Sequence, residues 1–187
     1  TACTQALWLA VVGDMSPGPF SGNLEHPVVS VTWDDVTERF LPKLQWQLGS
    51  EVAAALPTDA EWEYACRAGT KTAYSFGEKF DRYRASDSRV ATVPVRTYVP
   101  NPWGLYEMHG NVWEWCADDV RRYDARAVTD PVGDHEGIGR ALRGGVWDNN
   151  VAWARSAARI QGYRDLRDDF VSFRFSLRSN DEGPEAG

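Results

Sequence analysis

Three thiols, Cys3, Cys66 and Cys116, and three imidazoles, His26, His109 and His135, are the side chains of this 187-residue chain best suited to nucleophilic or metal chemistry. Their spacing argues against both. An odd number of widely separated cysteines gives neither a disulfide framework nor a zinc pattern, so buried, reduced thiols are expected. Reduced thiols point in turn to a reducing, cytoplasmic compartment. The histidines lack the spacing of a two-histidine, one-carboxylate iron site. His26 precedes Pro27, and His109 lies inside a stretch rich in glycine and aromatics, so both read as structural. Asp59, Glu61 and Glu63 cluster in sequence, but adjacent and alternate helix positions point apart, and no acid/base dyad is expected. Asp34-Asp35 suits the positive end of a helix dipole, and Arg121-Arg122 reads as solvated loop.

The elements that would hold these groups are short. Thr4 to Gly13 reads as a helix, with Thr4 as its N-cap, Leu7, Trp8 and Val11 on one face, and Gly13 as its stop. A second helix is capped at Thr32 with Asp35 three residues on, and Pro42 is expected to bend or stop it. Thr58-Asp59-Ala60-Glu61 is a capping box, opening a third helix with Trp62, Ala65 and Cys66 at helical spacing and Gly69 at its end. Gly144 to Trp147 and Phe173-Arg174-Phe175 read as strands, and Ser179 to Gly187 as a frayed tail. One α+β domain over residues 1–178 follows, with much ordered loop. Nine tryptophans fit a loop-rich core, because each ring buries much area while its N–H needs a partner. A net charge of −7 excludes a general nucleic-acid binder, and no apolar run is long enough for a membrane span.

Four segments carry a more specific signal: Leu56-Pro57-Thr58-Asp59-Ala60-Glu61-Trp62-Glu63-Tyr64-Ala65, Gly104 to Trp115 (GLYEMHGNVWEW), Leu142-Arg143-Gly144-Gly145-Val146-Trp147, and Ser172-Phe173-Arg174. In this order they resemble the sulfatase-modifying-factor family, whose founding members are formylglycine-generating enzymes. The resemblance implies a C-type lectin-like fold of the formylglycine-generating type: a small twisted antiparallel sheet with flanking helices. It also places the family's first strand upstream of Thr1, and a start at Thr1 without methionine, charged leader or apolar signal region is expected of a domain cut from a longer parent protein. The family's enzymes hold copper with two cysteines after the Arg-Gly-Gly motif, a choice that suits the soft Cu(I) ion. Those positions carry Asn149 and Ala154 here, so neither copper nor iron is expected in this domain, and no enzyme activity. The resemblance does imply a calcium site, with the side chains of Glu107 and Glu114 and the carbonyls of Gly110 and Val112 as hard oxygen ligands.

From Val146 to Phe175 the chain also resembles the variable region of target proteins of diversity-generating retroelements. There Trp147, Arg155-Ser156-Ala157, Arg159, Arg167 and Phe173-Arg174 form a fixed framework. The variable, ligand-binding positions implied are Asp148, Asn149, Asn150, Ala152, Trp153, Ala158, Ile160, Gly162, Tyr163, Leu166, Asp168, Asp169 and Phe170. Independently, Tyr163, Leu166 and Phe170 mixed with aspartates make a segment too polar for a core helix, and aromatics beside adaptable polar groups are what antibody-like surfaces use. The expected partner is a protein or a surface ligand. Three readings stay open on sequence: a retroelement variable protein, an invariant binding or scaffolding domain, and the C-terminal domain of a larger non-haem iron enzyme.

Overall fold

The computed structural model describes residues 1–15, 18, 22–86, 91–122, 127–133, 137–145 and 151–180. Helix α1 (Gln5–Val12) starts where the Thr4 side chain accepts a hydrogen bond from Leu7 N, and ends at Gly13 in the left-handed region (φ 91°). The second helix opens with a reciprocal pair, Thr32 N to Asp35 Oδ2 and Asp35 N to Thr32 Oγ1. It then widens into a π-helical turn over Asp35–Phe40, and Pro42 sits in the first turn of α2 (Leu41–Leu48). Pro42 therefore does not stop the helix. The wide turn, closed by Leu41 N to Val36 O, absorbs the ring and the missing N–H.

Strand β1 (Val52–Ala55) precedes α3 (Asp59–Arg67), whose Thr58/Glu61 capping box is formed in both directions. Four further strands, β2 (Trp113–Trp115), β3 (Gly139–Arg143), β4 (Ile160–Tyr163) and β5 (Val171–Phe173), form one sheet in the order β4-β3-β2-β5. The sheet is antiparallel except between β2 and β5, which run parallel. Strand β6 (Ser176–Ser179) pairs with β1 in a separate ribbon, Val52 opposite Ser179, and Asn180 N donates to Glu51 O. Order thus runs through the start of the segment expected to fray. The β1 ladder supplies the hydrogen bonds that the polar sequence of β6 does not advertise.

Two apolar clusters sandwich the larger sheet. In one, Trp8 stacks on Phe40 (5.7 Å between centroids) and Phe40 meets Phe173 edge-on (4.9 Å), with Trp115 and Leu142 behind them. Rings of this size, fully buried, each contribute roughly 1.5–3 kcal/mol. In the other, Trp62, Cys66, Met108, Cys116 and Ala141 fill the space under α3. All three cysteines are free and buried.

Candidate functional site

Beneath α3 the polar groups are organised around Arg143, the last residue of β3 and fully buried. Its Nε donates to Asp59 Oδ1 (2.5 Å), one Nη to Glu63 Oε2 (2.9 Å), and the other to the carbonyls of Ser156 and Ala158. Burial works against the guanidinium's charge, but Asp59 and Glu63 outweigh it and hold its pKa above the ordinary value. Arg159 adds a second guanidinium on Asp59 Oδ2 (2.8 Å) and reaches Arg121 O. Asp59 and Glu63 do converge, because they stand four residues apart on one helix face. They converge on a cation, not on each other. Comparing only adjacent and alternate positions misses this pair.

Glu114, on β2, is 1% exposed and equally engaged. Trp62 Nε1 donates to its Oε2 (2.7 Å), and Arg174 grips both oxygens through Nε and Nη2. Glu107 accepts from Arg96 N (3.0 Å) at one oxygen and Tyr98 N (3.3 Å) at the other, and burial pushes its pKa up. The Gly110 carbonyl accepts from Val112 N. This donor set fits calcium poorly. The charge of Glu114 is already neutralised by a buried guanidinium, and a divalent ion beside it would meet like-charge repulsion from Arg174.

Cys66 and His109 lie close together, with Sγ 3.7 Å from Nε2, but their protonation is the reverse of a nucleophilic pair. Burial pushes the Cys66 thiol up to about 12 and His109 down to about 4, leaving a neutral thiol beside a neutral imidazole. His109 Nδ1 donates to Ala154 O (2.7 Å), and Nε2 accepts from Ser75 N (3.0 Å). Ala154, one of the two positions where the family's enzymes carry a thiolate, is buried and serves His109 through its backbone; Asn149 lies outside the described residues. A hollow of about 210 Å³ borders His109, Glu107 and Asn101, and each of these already has its hydrogen-bond partners.

The segment expected to bind is built differently. Asp148, Asn149 and Asn150, like Trp147, lie outside the described residues. The 3₁₀ turn Val151–Ala154 is clamped from below by Tyr74 Oη to Val151 O, His109 to Ala154 O and Ser156 N to Ala73 O. On it Trp153 is 38% exposed, its ring edge-on to Trp113 (6.2 Å), while Ala152 is half-buried. Trp113 N donates to Phe170 O, so Trp113 lies between this turn and the connection from β4 to β5. That connection presents Tyr163 (65% exposed), Leu166 (37%), Asp168 and Asp169, with Phe170 half-buried.

Two expected contact positions are corrected. Ala158 is buried and its carbonyl belongs to the Arg143 network. Gly162 is buried where a Cβ would fall 2.8 Å from Leu142 Cδ1 and 3.0 Å from the Trp115 ring, so no side chain fits there without displacement. Ile160 is half-buried against the core. Arg155 is exposed, and its Nε donates to the Ala152 carbonyl of the 3₁₀ turn.

The outer connection is held instead by Arg164, Arg167 and Ser30. Arg164 binds Asp34 (Nε to Oδ1, 2.6 Å) and lies over the Trp33 ring at 5.2 Å, which Arg140 also covers at 4.3 Å. Arg167 binds Asp35 Oδ2 (2.7 Å) and Ser30 O. Backbone bonds from Trp33 N to Arg164 O and from Ser30 N to Asp168 O complete the attachment, with Ser30 Oγ on Asp169 Oδ1 (2.6 Å). Arg164 and Trp33 had no sequence signal beyond residue type.

Comparison with known proteins agrees with this geometry. The chain is 39% identical over 164 residues to the serine/threonine-protein kinase pkn1 of Chlamydia pneumoniae, matching 85% of this chain and 25% of the kinase. It is 35% identical over 176 residues to the formylglycine-generating enzyme of Streptomyces coelicolor, matching 82% of this chain and 53% of the enzyme. It thus spans from a quarter to about half the length of these relatives. Among solved structures, Treponema denticola variable protein 1 superposes with a TM-score of 0.83 at 26% identity, covering 94% of this chain and 81% of that one. The fold is the α+β, C-type lectin-like fold of the formylglycine-generating type. With residues 13–178 matching the sulfatase-modifying factor enzyme 1-like domain, the chain belongs to that family.

Proposed function

We propose that this chain is a non-catalytic ligand-binding domain, the variable protein of a diversity-generating retroelement, with its binding face on the exposed part of residues 148–170. The observation that carries the reading is the contrast within that segment. Trp153, Tyr163, Leu166 and Asp168 are exposed, while the backbone beneath them is fixed by Arg164, Arg167, Ser30 and His109. A rigid scaffold with exchangeable surface residues tolerates such variation. The likeness to Treponema denticola variable protein 1 supports the same reading. The match to one quarter of a chlamydial kinase favours a second one, an invariant binding module within a longer chain. No helix among the described residues is long and apolar enough to cross a membrane.

The test is to randomise Trp153, Tyr163, Asp165, Leu166 and Asp168 together, display the variants on yeast and select against hen lysozyme. Most variants should stay protease-resistant and binders should emerge; widespread loss of folded display removes the reading. Incubation of the purified chain with Cu(I) and a cysteine peptide of sulfatase type should yield no aldehyde above the no-protein control.

A further inference from the structure

Arg164 and Arg167 both turn toward the helix start, onto Asp34 and Asp35. Three carboxylates of the same connection are left without an ion-pair partner among the described residues. Asp165 is exposed and has no hydrogen-bond partner there either; Asp168 accepts only from Phe170 N, and Asp169 only from the neutral Ser30 hydroxyl. Their charge faces solvent beside Tyr163 and Leu166, the exposed apolar side chains of the turn closed by Leu166 N to Tyr163 O.

We propose that this turn recognises a basic segment of a partner protein, in which lysine or arginine side chains flank an apolar one. The proposal rests on the binding-face reading above and names the chemistry of its ligand. A cationic side chain gains from three uncompensated carboxylates and can lie over the face of Tyr163. Leu166 offers apolar area for the residue between the charges. Phosphates, nucleic acids, anionic glycans and anionic lipid surfaces meet repulsion at the same carboxylates, in a chain whose net charge is already −7.

The experiment pans a phage-displayed random dodecapeptide library against the full 187-residue chain. Enriched peptides should carry an excess of lysine and arginine beside an apolar residue and should bind more weakly as salt is raised. Asp165→Lys alone leaves every described hydrogen bond intact and should weaken them about ten-fold, and Asp165→Lys with Asp168→Asn should weaken them further. Peptides without a basic excess, or binding indifferent to Asp165→Lys, overturn the proposal while leaving the face itself standing. If Tyr163→Ala/Leu166→Ala binds the enriched peptides as well as the wild type, the binding-face reading fails with it. Failure to enrich any peptide that depends on these residues also counts against the proposal.

Discussion

Arg143 and Arg164 carry the same guanidinium, and each binds a carboxylate on a neighbouring helix, yet the regions they organise behave oppositely. Around Arg143 the charged groups are matched: Asp59 and Glu63 by Arg143, Asp59 again by Arg159, and Glu114 by Arg174 and Trp62. Around Arg164 the guanidiniums fix the backbone while Asp165, Tyr163 and Leu166 remain open to solvent. Closed networks specify a shape; open ones can meet a ligand. The buried half of the molecule therefore explains the fold, and the outer turn is the face proposed above for recognition.

The comparison breaks first if the inner network is dispensable. Arg143→Ala removes a fully buried cation and leaves Asp59 with Arg159 alone and Glu63 with Arg67 alone. Breaking a buried pair from one side costs about 3–5 kcal/mol. Urea denaturation should show this loss, and a cost below about 1 kcal/mol would mean that water replaces the guanidinium easily.

The next effect is acid sensitivity at His109. Burial holds its pKa at about 4 in the folded chain, against about 6.5 when unfolded. Between those values the unfolded chain binds the additional proton, so stability rises with pH. The neutral ring's contribution is complete above about pH 6.5 and is lost as the pH falls toward 4, to the extent of about 3 kcal/mol. His109→Gln keeps a donor for Ala154 O and should lose about 3 kcal/mol less than the wild type between pH 7 and about pH 4. Equal pH dependence of the two proteins would place the imidazole in water. Hydrogen exchange at the Ser75 amide should rise in the same acid window, because protonation turns Nε2 from an acceptor into a donor while Nδ1–H keeps its bond to Ala154 O.

Much of the closed region was legible before any coordinates, because its signals are local. Thr4 with Leu7 N, Thr32 with Asp35, and Thr58 with Glu61 each set a helix start within three residues, and Gly13 ends the first helix through its left-handed backbone. The Glu114–Arg174 pair was invisible, since its partners are sixty residues apart and meet only when β5 lies parallel to β2. Strand β1 reads Val-Ala-Ala-Ala, a helix-favouring composition that pairing with β6 overrides. Of the candidate contact residues, Tyr163, Leu166 and Asp168 stand exposed as their chemistry suggested, whereas Ala158 is buried and Gly162 is small because the core leaves it no room. Residue type alone does not separate a small surface residue from a small buried one.

A smaller effect is expected at the outer turn. Tyr163→Ala, Leu166→Ala, Asp168→Ala and Phe170→Ala should each cost about 0.5 kcal/mol, with half-buried Phe170 at the upper end. The quadruple variant should still melt in one cooperative step by circular dichroism. Collapse of the fold would make the turn part of the core and erase the distinction between the two regions.

The smallest expected effect is that of calcium on the Glu107–Glu114 loop, and it sharpens the comparison because the two regions predict different outcomes. If this loop resembled the outer turn, its carboxylates would be free to take a cation. A site saturated a hundred-fold above its Kd would add about 2.7 kcal/mol to the native state. In a domain of this size that is a rise in Tm of roughly 5–10 °C. The geometry argues for no such gain. Arg174 occupies both oxygens of Glu114, and the amides of Arg96 and Tyr98 occupy those of Glu107, so the loop already holds a cation of its own in the form of a guanidinium. Scanning calorimetry in EDTA and in millimolar Ca²⁺ should therefore give the same Tm within about 1 °C. A calcium-dependent rise of several degrees, abolished by Glu107→Gln, would show that the loop opens to release Glu114 from Arg174, and the inner network would then be a binding site rather than a closed frame.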